Sequence, residues 1–360
     1  MNFAKRLRKL RQRMHAHELA ALLVSEPYNR RYLSGFTGSA GVLLITHERQ
    51  GIATDFRYYT QVRRQCPDWE LFQVGRDFEG QLAGLLRELG VQGGTVGYEA
   101  AHVSVETWRR WSAAVDDTAT LVETVGLVEQ LRQVKDEDEL AAMRRAIAIA
   151  EQAWSQLLDV LRPGICEREV AWQLESSMRA LGAEAVAFPL IVASGPNGAL
   201  PHAAPSERPI QAGEPVVIDF GCVVDGYCSD LTRTVCLGQP SDARYEALWQ
   251  LVQGAQQAAL RGLRAGLSGA EGDRLAREVI TAAGYGEYFG HGLGHGIGLA
   301  AHEAPRLNPT SSDELPAGAV VSVEPGIYLP DWGGVRIEDL VLLHPDGAEV
   351  LTRVPAVAIL

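Results

Sequence analysis

What limits this chain most sharply is a set of single carboxylates embedded in strands that are otherwise apolar. In Val216-Val217-Ile218-Asp219-Phe220-Gly221 one acid interrupts a wholly apolar run, and burying an unpaired carboxylate is costly. Asp230 stands near the head of the next period-two run, Cys228 to Leu237. The two runs meet across Asp225-Gly226, a dipeptide that accepts the positive φ needed at both centres of a type I′ hairpin turn. With that turn, Asp219 faces Thr232 and Asp230 faces Gly221. Both carboxylates then share one side of the hairpin as diagonal neighbours, about 7 to 8 Å apart at the backbone. A metal ion fits that gap, and a slip of one residue would remove the shared face.

The anomaly recurs downstream. Glu324 interrupts Val320-Val321-Ser322-Val323-Glu324-Pro325-Gly326, and Glu338 follows in Val335-Arg336-Ile337-Glu338-Asp339. Four such acids brought together would repel or take up protons, whereas two divalent cations would neutralise them. Histidines supply the other donors. In His291-Gly292-Leu293-Gly294-His295-Gly296-Ile297-Gly298 no glutamate follows the first histidine and the glycines deny a stable helix, so this is not a zincin motif. It reads instead as glycine-rich backbone that lets imidazoles approach a crowded site. His302, in His302-Glu303, and His202, in Pro201-His202-Ala203, are further candidates.

A length of 360 residues suits two domains. Apolar runs at Leu19 to Val24, Val42 to Thr46 and Ile52 to Thr54 follow a first helix carrying Phe3, Leu7, Leu10 and Met14, which predicts a small α/β domain over 1–125. From Asp136, with Asp138 also placed to favour a helix start, Leu140, Met143, Ile147, Ala150, Trp154 and Leu157 keep a helical period as far as Arg162-Pro163-Gly164. A second helix with Val170, Leu174 and Met178 on one face precedes the hairpin of the two aspartates. The order then repeats: helical segments near Ala243 to Leu263 and Gly269 to Ala283, then strand-like runs at Val320 to Tyr328 and Val335 to Leu343. Residues 126–360 are thus expected to form two similar halves, giving an α+β or α/β protein overall.

Composition excludes several classes. No apolar stretch approaches the roughly 18 to 20 residues needed to cross a bilayer, and no secretory cleavage pattern follows the N-terminus, so neither membrane nor export is expected. Cys66, Cys166, Cys222, Cys228 and Cys236 form no CxxC pair, which fits a reducing cytoplasm and argues against a thiolate zinc site. A net charge of −12 repels nucleic acid. The basic run Lys5, Arg6, Arg8, Lys9, Arg11 and Arg13 is expected to be the solvated face of the first helix.

Taken in order, Asp219 in IDFG, Asp230 in SDLTRT, His295 in GHGIGL, Glu324 in VEPGIY and Glu338 in RIED resemble the ligand strings of the pita-bread metallopeptidases, in the branch with aminopeptidase P and prolidase. The likeness covers residue 130 or so to the end. YLSGFTGSAG (Tyr32 to Gly41) and TDFRYYTQ (Thr54 to Gln61) resemble that branch's creatinase-like N-terminal domain, which methionine aminopeptidases generally lack. Phe56 departs from the glycine common at its position, which leaves Arg57 without an assigned role.

The resemblance implies hydrolysis of Xaa-Pro bonds by a soluble homodimer. It implies two divalent ions, one on Asp219, one on His295 and Glu324, with Asp230 and Glu338 bridging. The hard donor set favours manganese, with cobalt or zinc as alternatives. Glu324 would shuttle the proton from water to the proline nitrogen, while His202 and His302 steady the oxyanion. His291 would wall the pyrrolidine pocket, with Trp332 a second candidate, and Arg336 matches the arginine before the second bridging acid. Other occupants of the same fold are a methionine aminopeptidase, a creatinase-like hydrolase and a noncatalytic binding module, the last two of which do not need all five ligands.

Overall fold

The computed structural model describes residues 1–360, the side chain of Asp116 excepted. Two compact units divide after Arg132, seven residues beyond the boundary at 125 expected above. The segment that follows the last strand of the first unit folds back as a short helix, which no apolar run announces.

The first unit runs α1 (Phe3–Ala16), β1 (Ala21–Val24), α2 (Pro27–Ser34), β2 (Val42–Thr46), β3 (Gln50–Thr54), α3 (Tyr59–Gln65), β4 (Glu70–Gln73), α4 (Phe78–Glu88), β5 (Gly94–Glu99), α5 (Val105–Val115), β6 (Ala119–Thr124) and α6 (Glu129–Gln133). Its mixed sheet has the order β4-β3-β2-β1-β5-β6. Leu82, Leu85 and Leu86 of α4 and Trp111 of α5 pack with Ala21, Leu23 and Leu44 of the sheet. The three later strands escaped the sequence reading because they are short or rich in Gly and Thr. The basic residues of α1 are not uniformly solvated: Lys5, Arg8 and Lys9 are exposed, but Arg6 is buried, donates to the Tyr32 carbonyl and lies over the Tyr32 ring. Arg11 is spent on the carbonyls of Thr46 and Arg49.

The second unit opens with α7 (Glu137–Leu158), begun by a capping box between Asp136 and Glu139, and α8 (Glu167–Ala180). Strands follow at β7 (Ala185–Val186), β8 (Ile191–Ser194), β9 (Pro215–Phe220), β10 (Cys222–Val224), β11 (Tyr227–Cys228) and β12 (Leu231–Cys236). The second half repeats the plan with α9 (Arg244–Gly262), α10 (Gly269–Ala282), β13 (Gly294–Gly296), β14 (Glu303–Leu307), β15 (Val320–Val323), β16 (Gly326–Leu329), β17 (Gly333–Arg336), β18 (Asp339–His344) and β19 (Gly347–Val350). Each helix pair covers its own sheet. Ala146, Ala150, Trp154, Val170 and Leu174 pack on Val216, Ile218, Phe220 and Leu231; Val252, Ala255, Ala276 and Ile280 pack on Val321, Val323, Ile327 and Val341.

The hairpin register is the one expected. Asp219 pairs with Thr232, and beyond the turn-side break Val223 pairs with Cys228, which sets Gly221 across from Asp230. Asp225 and Gly226 both have positive φ, 50° and 82°. In the second half the expected runs are broken: β15 gives way to β16 at Glu324-Pro325, and β17 to β18 at Ile337-Glu338. Val323 pairs with Asp339 and Gly326 with Arg336, so one register crosses the break and Glu324 lies opposite Glu338. Glu324 and Glu338 thus stand just outside regular strands, unlike Asp219, which is paired on both sides within β9. The two hairpins meet where the Glu338 amide donates to the Thr232 carbonyl (3.1 Å) and the Arg336 amide to Thr234 Oγ1 (2.9 Å).

Candidate metal centre

Each expected ligand is delivered by a strand or its end. Asp219 sits within β9, flanked across the ladder by Ile191 and Thr232; Asp230 precedes β12; His295 is the middle residue of β13; Glu324 follows β15 and Glu338 precedes β18. Asp219, Asp230, His295 and Glu338 are buried. Donor atoms of Asp230, His295 and Glu338 lie within 4.8 Å of one another. His295 Nε2 is 3.2 Å from Glu324 Oε1 and 3.8 Å from Asp230 Oδ2. Asp219 joins the group through its neighbour Arg336, whose Nη2 donates to Oδ2 at 2.8 Å.

Electrostatics show what the cluster lacks. Burial pushes Asp230 and Glu338 well above the usual carboxylate range, and the charge of the facing acids adds to it. Burial also raises Asp219 against the pull of Arg336. Glu324 is held down to about 2, because His295, His291 and Arg336 together outweigh its burial. Two details call for a cation. Asp219 Oδ1 is buried without a hydrogen-bond partner among the described residues. His295 Nδ1 donates to the Gly296 carbonyl (3.1 Å), which leaves Nε2 facing the carboxylates of Glu324 and Asp230. A histidine fixed through Nδ1 with Nε2 turned toward carboxylates is the arrangement a metal ligand adopts. Oxygen donors with one imidazole suit a hard divalent ion. The residues therefore fit the metal that the sequence implied.

A cavity of about 510 Å³ opens onto the cluster. All four candidate histidines line it, as do Arg336 and the apolar residues Phe188, Leu190 and Ile191. The rings of His295 and His302 lie 4.2 Å apart; burial and the neighbouring His295 lower His302 to about 4. His202 and His302 are exposed at the mouth. His291 is different, since both its nitrogens are taken: Nδ1–H donates to the Gly292 carbonyl (2.7 Å) and Nε2 accepts from the Tyr328 hydroxyl (2.9 Å). It offers the cavity a ring face. Trp332 does not line the cavity; its indole donates to Asp242 and stands under Arg244. Arg57, in the first unit, forms a bidentate pair with Asp55.

Several supports were not foreseen. Arg336 donates from Nη1 to the Tyr328 hydroxyl (2.8 Å) and from Nε to Thr232 Oγ1 (3.2 Å), and Thr232 Oγ1 in turn donates to Glu338 Oε2 (2.7 Å). Ser322 Oγ accepts from the His295 amide (3.0 Å) and donates to Glu324 Oε1 (3.0 Å). From α10, buried Asp273 accepts the Leu293 amide and pairs with Arg277, which donates to the carbonyls of Phe289 and His291. The glycine-rich loop is thereby pinned on both sides of His291. Tyr328 was visible only as one more residue of an apolar strand; nothing local marks where its hydroxyl goes.

Four inward carboxylates and an imidazole, set between two hairpins each backed by its own helix pair, define a metal-dependent hydrolytic centre. Comparison with known proteins agrees. Residues 141–345 match metallopeptidase family M24, and residues 6–134 match the Creatinase/Prolidase N-terminal domain. A solved Xaa-Pro dipeptidase from Bacillus anthracis is 41% identical, with a TM-score of 0.95 and the whole of both chains covered. An X-Pro aminopeptidase from Thermotoga maritima is 39% identical over 98% of this chain and 99% of that one, with a TM-score of 0.90. The Xaa-Pro dipeptidase of Pyrococcus horikoshii is 34% identical over 97% of each chain. The chain belongs to metallopeptidase family M24. Within it, the added creatinase-type N-terminal domain sets this two-unit protein among the pita-bread peptidases of the prolidase and aminopeptidase P kind.

Proposed function

We propose that this protein hydrolyses the Xaa-Pro bond at the N-terminus of proline-containing peptides or dipeptides, with two divalent ions, manganese foremost, held by Asp219, Asp230, His295, Glu324 and Glu338. The observation that carries the reading is His295, fixed through Nδ1 with Nε2 facing two carboxylates, beside the unpartnered Asp219 oxygen. When bound, such cations act as Lewis acids on the scissile carbonyl and acidify the attacking water. The chain's own residues do the rest. Glu324, kept ionised, takes a proton at Oε1 and returns it to the proline nitrogen. His202 and His302, at the mouth, donate to the oxygen on which negative charge develops, and donors so placed typically contribute a few kcal/mol each. His291 presents its ring face to the pyrrolidine, a leaving group that lacks the N–H ordinary peptidases bind. Arg336 holds Asp219 and, through Tyr328, keeps His291 in place.

Relatives carry both dipeptidase and aminopeptidase names, so the two substrate lengths are to be compared directly. Five unpaired cysteines support a reducing, cytoplasmic setting, and among the described residues no helix is long and apolar enough to cross a membrane. A homodimer is the proposed assembly, to be checked by light scattering. The deciding experiment incubates manganese-loaded protein with Xaa-Pro and Xaa-Pro-Yaa peptides in parallel. Cleavage of neither, with Met-Ala-type peptides turned over instead, would reject the substrate assignment in favour of a methionine aminopeptidase.

A further inference from the structure

The loop that carries His202 is tied down by a carboxylate outside the cavity. Glu167 opens α8 and is fully buried. Its Oε1 accepts the Ser194 amide (2.7 Å) and hydroxyl (2.8 Å). Its Oε2 accepts the Ser206 amide (3.1 Å) and hydroxyl (2.6 Å). Asn197 Nδ2 reaches both oxygens at 3.0 Å. Ser194 closes β8 and Ser206 lies beyond the cavity segment, so one side chain clasps both ends of a loop with His202 between them. The Arg208 guanidinium reaches the Glu167 carboxylate by way of the Ser194 hydroxyl, to which it donates while pairing with Glu214, and the Glu167 amide donates to the Arg208 carbonyl (3.1 Å).

An amide cannot stand in for this group. Each oxygen receives one main-chain N–H, from Ser194 on one side and Ser206 on the other. Whichever way a glutamine amide is turned, its NH₂ faces one of those donors, and two donors cannot bond each other. One end of the loop must let go, leaving a buried N–H unsatisfied. The other face of the loop is also constrained, since the Pro201 carbonyl, next to His202, accepts from Arg336 Nη1 at 3.3 Å. The loop is therefore located from behind by α8 and from the front by the arginine that holds Asp219.

We propose that Glu167 is a positioning residue for hydrolysis: it holds the 194–206 loop so that the His202 imidazole stands over the reacting carbonyl. The proposal rests on the role given to His202 above. It is tested with a double-mutant cycle on an Xaa-Pro peptide at saturating manganese, using the wild type, Glu167→Gln, His202→Ala and the pair, with bound metal and amide exchange of each protein measured by mass spectrometry. Glu167→Gln is expected to lower kcat roughly ten- to a hundredfold, the scale of a 1 Å misplacement, with KM and metal content near wild type. The double variant should be no slower than His202→Ala alone, and faster exchange should be confined to 194–206. Losses that multiply, or unchanged exchange in that loop, overturn the proposal, as does wild-type turnover by His202→Ala. Failure of the wild type itself on Xaa-Pro peptides counts against the proposed substrate instead. Should Glu167→Gln not fold, Asn197→Ala and Ser206→Ala replace it in the cycle, with smaller losses and the same non-additivity required.

Discussion

Gly294 and Gly296 frame His295 in a strand with neighbours on both sides, and Gly294→Ala is expected to disable the centre by a calculable shift. A Cβ at Gly294 would lie 2.0 Å from the Ser322 carbonyl oxygen, where side-chain carbons essentially never come closer than 3.0 Å. β13 and β15 must therefore part by about 1 Å. That parting falls on Ser322, whose hydroxyl joins the His295 amide to Glu324, and so on the 3.2 Å separation of the two site residues. Misplacement of that size costs about a hundredfold in turnover, and overpacking of a buried strand costs about 1–3 kcal/mol. The variant should fold with a Tm lowered by a few degrees, bind manganese more weakly by calorimetry, and lose about two orders of magnitude in kcat/KM. Gly290→Ala is the control, because a Cβ there meets nothing within 4 Å. If Gly294→Ala retained wild-type kcat/KM and metal affinity, close strand approach would not require glycine here.

Other expectations follow from the same geometry. Asp230→Ala or Glu338→Ala should nearly abolish turnover and metal binding yet leave the metal-free protein at least as stable, because each removes a carboxylate that burial and its neighbours oppose; a wild-type rise in Tm on adding manganese to either variant would contradict the assignment. His302→Ala should slow turnover about tenfold to a thousandfold with metal content unchanged, and a parallel loss of metal would make it a ligand instead. In the first unit, burial raises Glu99 to about 7 despite N–H donors from Ser25, Glu26 and Asn29. The folded state thus keeps that proton to higher pH than the unfolded chain. The stability it supplies is complete below about 4.5 and is lost as pH rises through about 7, amounting to about 3 kcal/mol. Urea midpoints at pH 5 and pH 8 should differ less in Glu99→Gln than in the wild type, and an equal difference would show that Glu99 does not carry the slope.

What could be read in the chain was local. Asp225-Gly226 determined the first hairpin because few dipeptides accept positive φ twice, and from that turn the pairing of Asp219 with Thr232 follows by counting. Asp136 and Asp138 likewise announced the start of α7, where the structure adds a capping box to Glu139. The breaks at Glu324-Pro325 and Ile337-Glu338 were not foreseen, because apolar periodicity continues through them and only the partner hairpin, a hundred residues earlier, gives those acids a reason to turn. The same holds for the supports. Thr232, Ser322 and Tyr328 look like ordinary strand residues, and Glu167 and Asp273 like ordinary helix acids; their roles are set by loops distant in sequence. Trp332 shows the converse, a conspicuous aromatic that packs against Asp242 and Arg244 and leaves the cavity to less conspicuous residues.

Both acidic hairpins keep a single pairing arithmetic from one end to the other, interrupted but never offset where the carboxylates stand. For anyone altering this scaffold, chain length is therefore negotiable in some places and frozen in others. One residue added at Asp225-Gly226 would shift Asp230 against Gly221, and one within 330–332 would shift Glu338 against Glu324. Connections that precede the hairpins, such as 238–243 or 308–313, can lengthen without disturbing that count, and they are where a new recognition element could be spliced in.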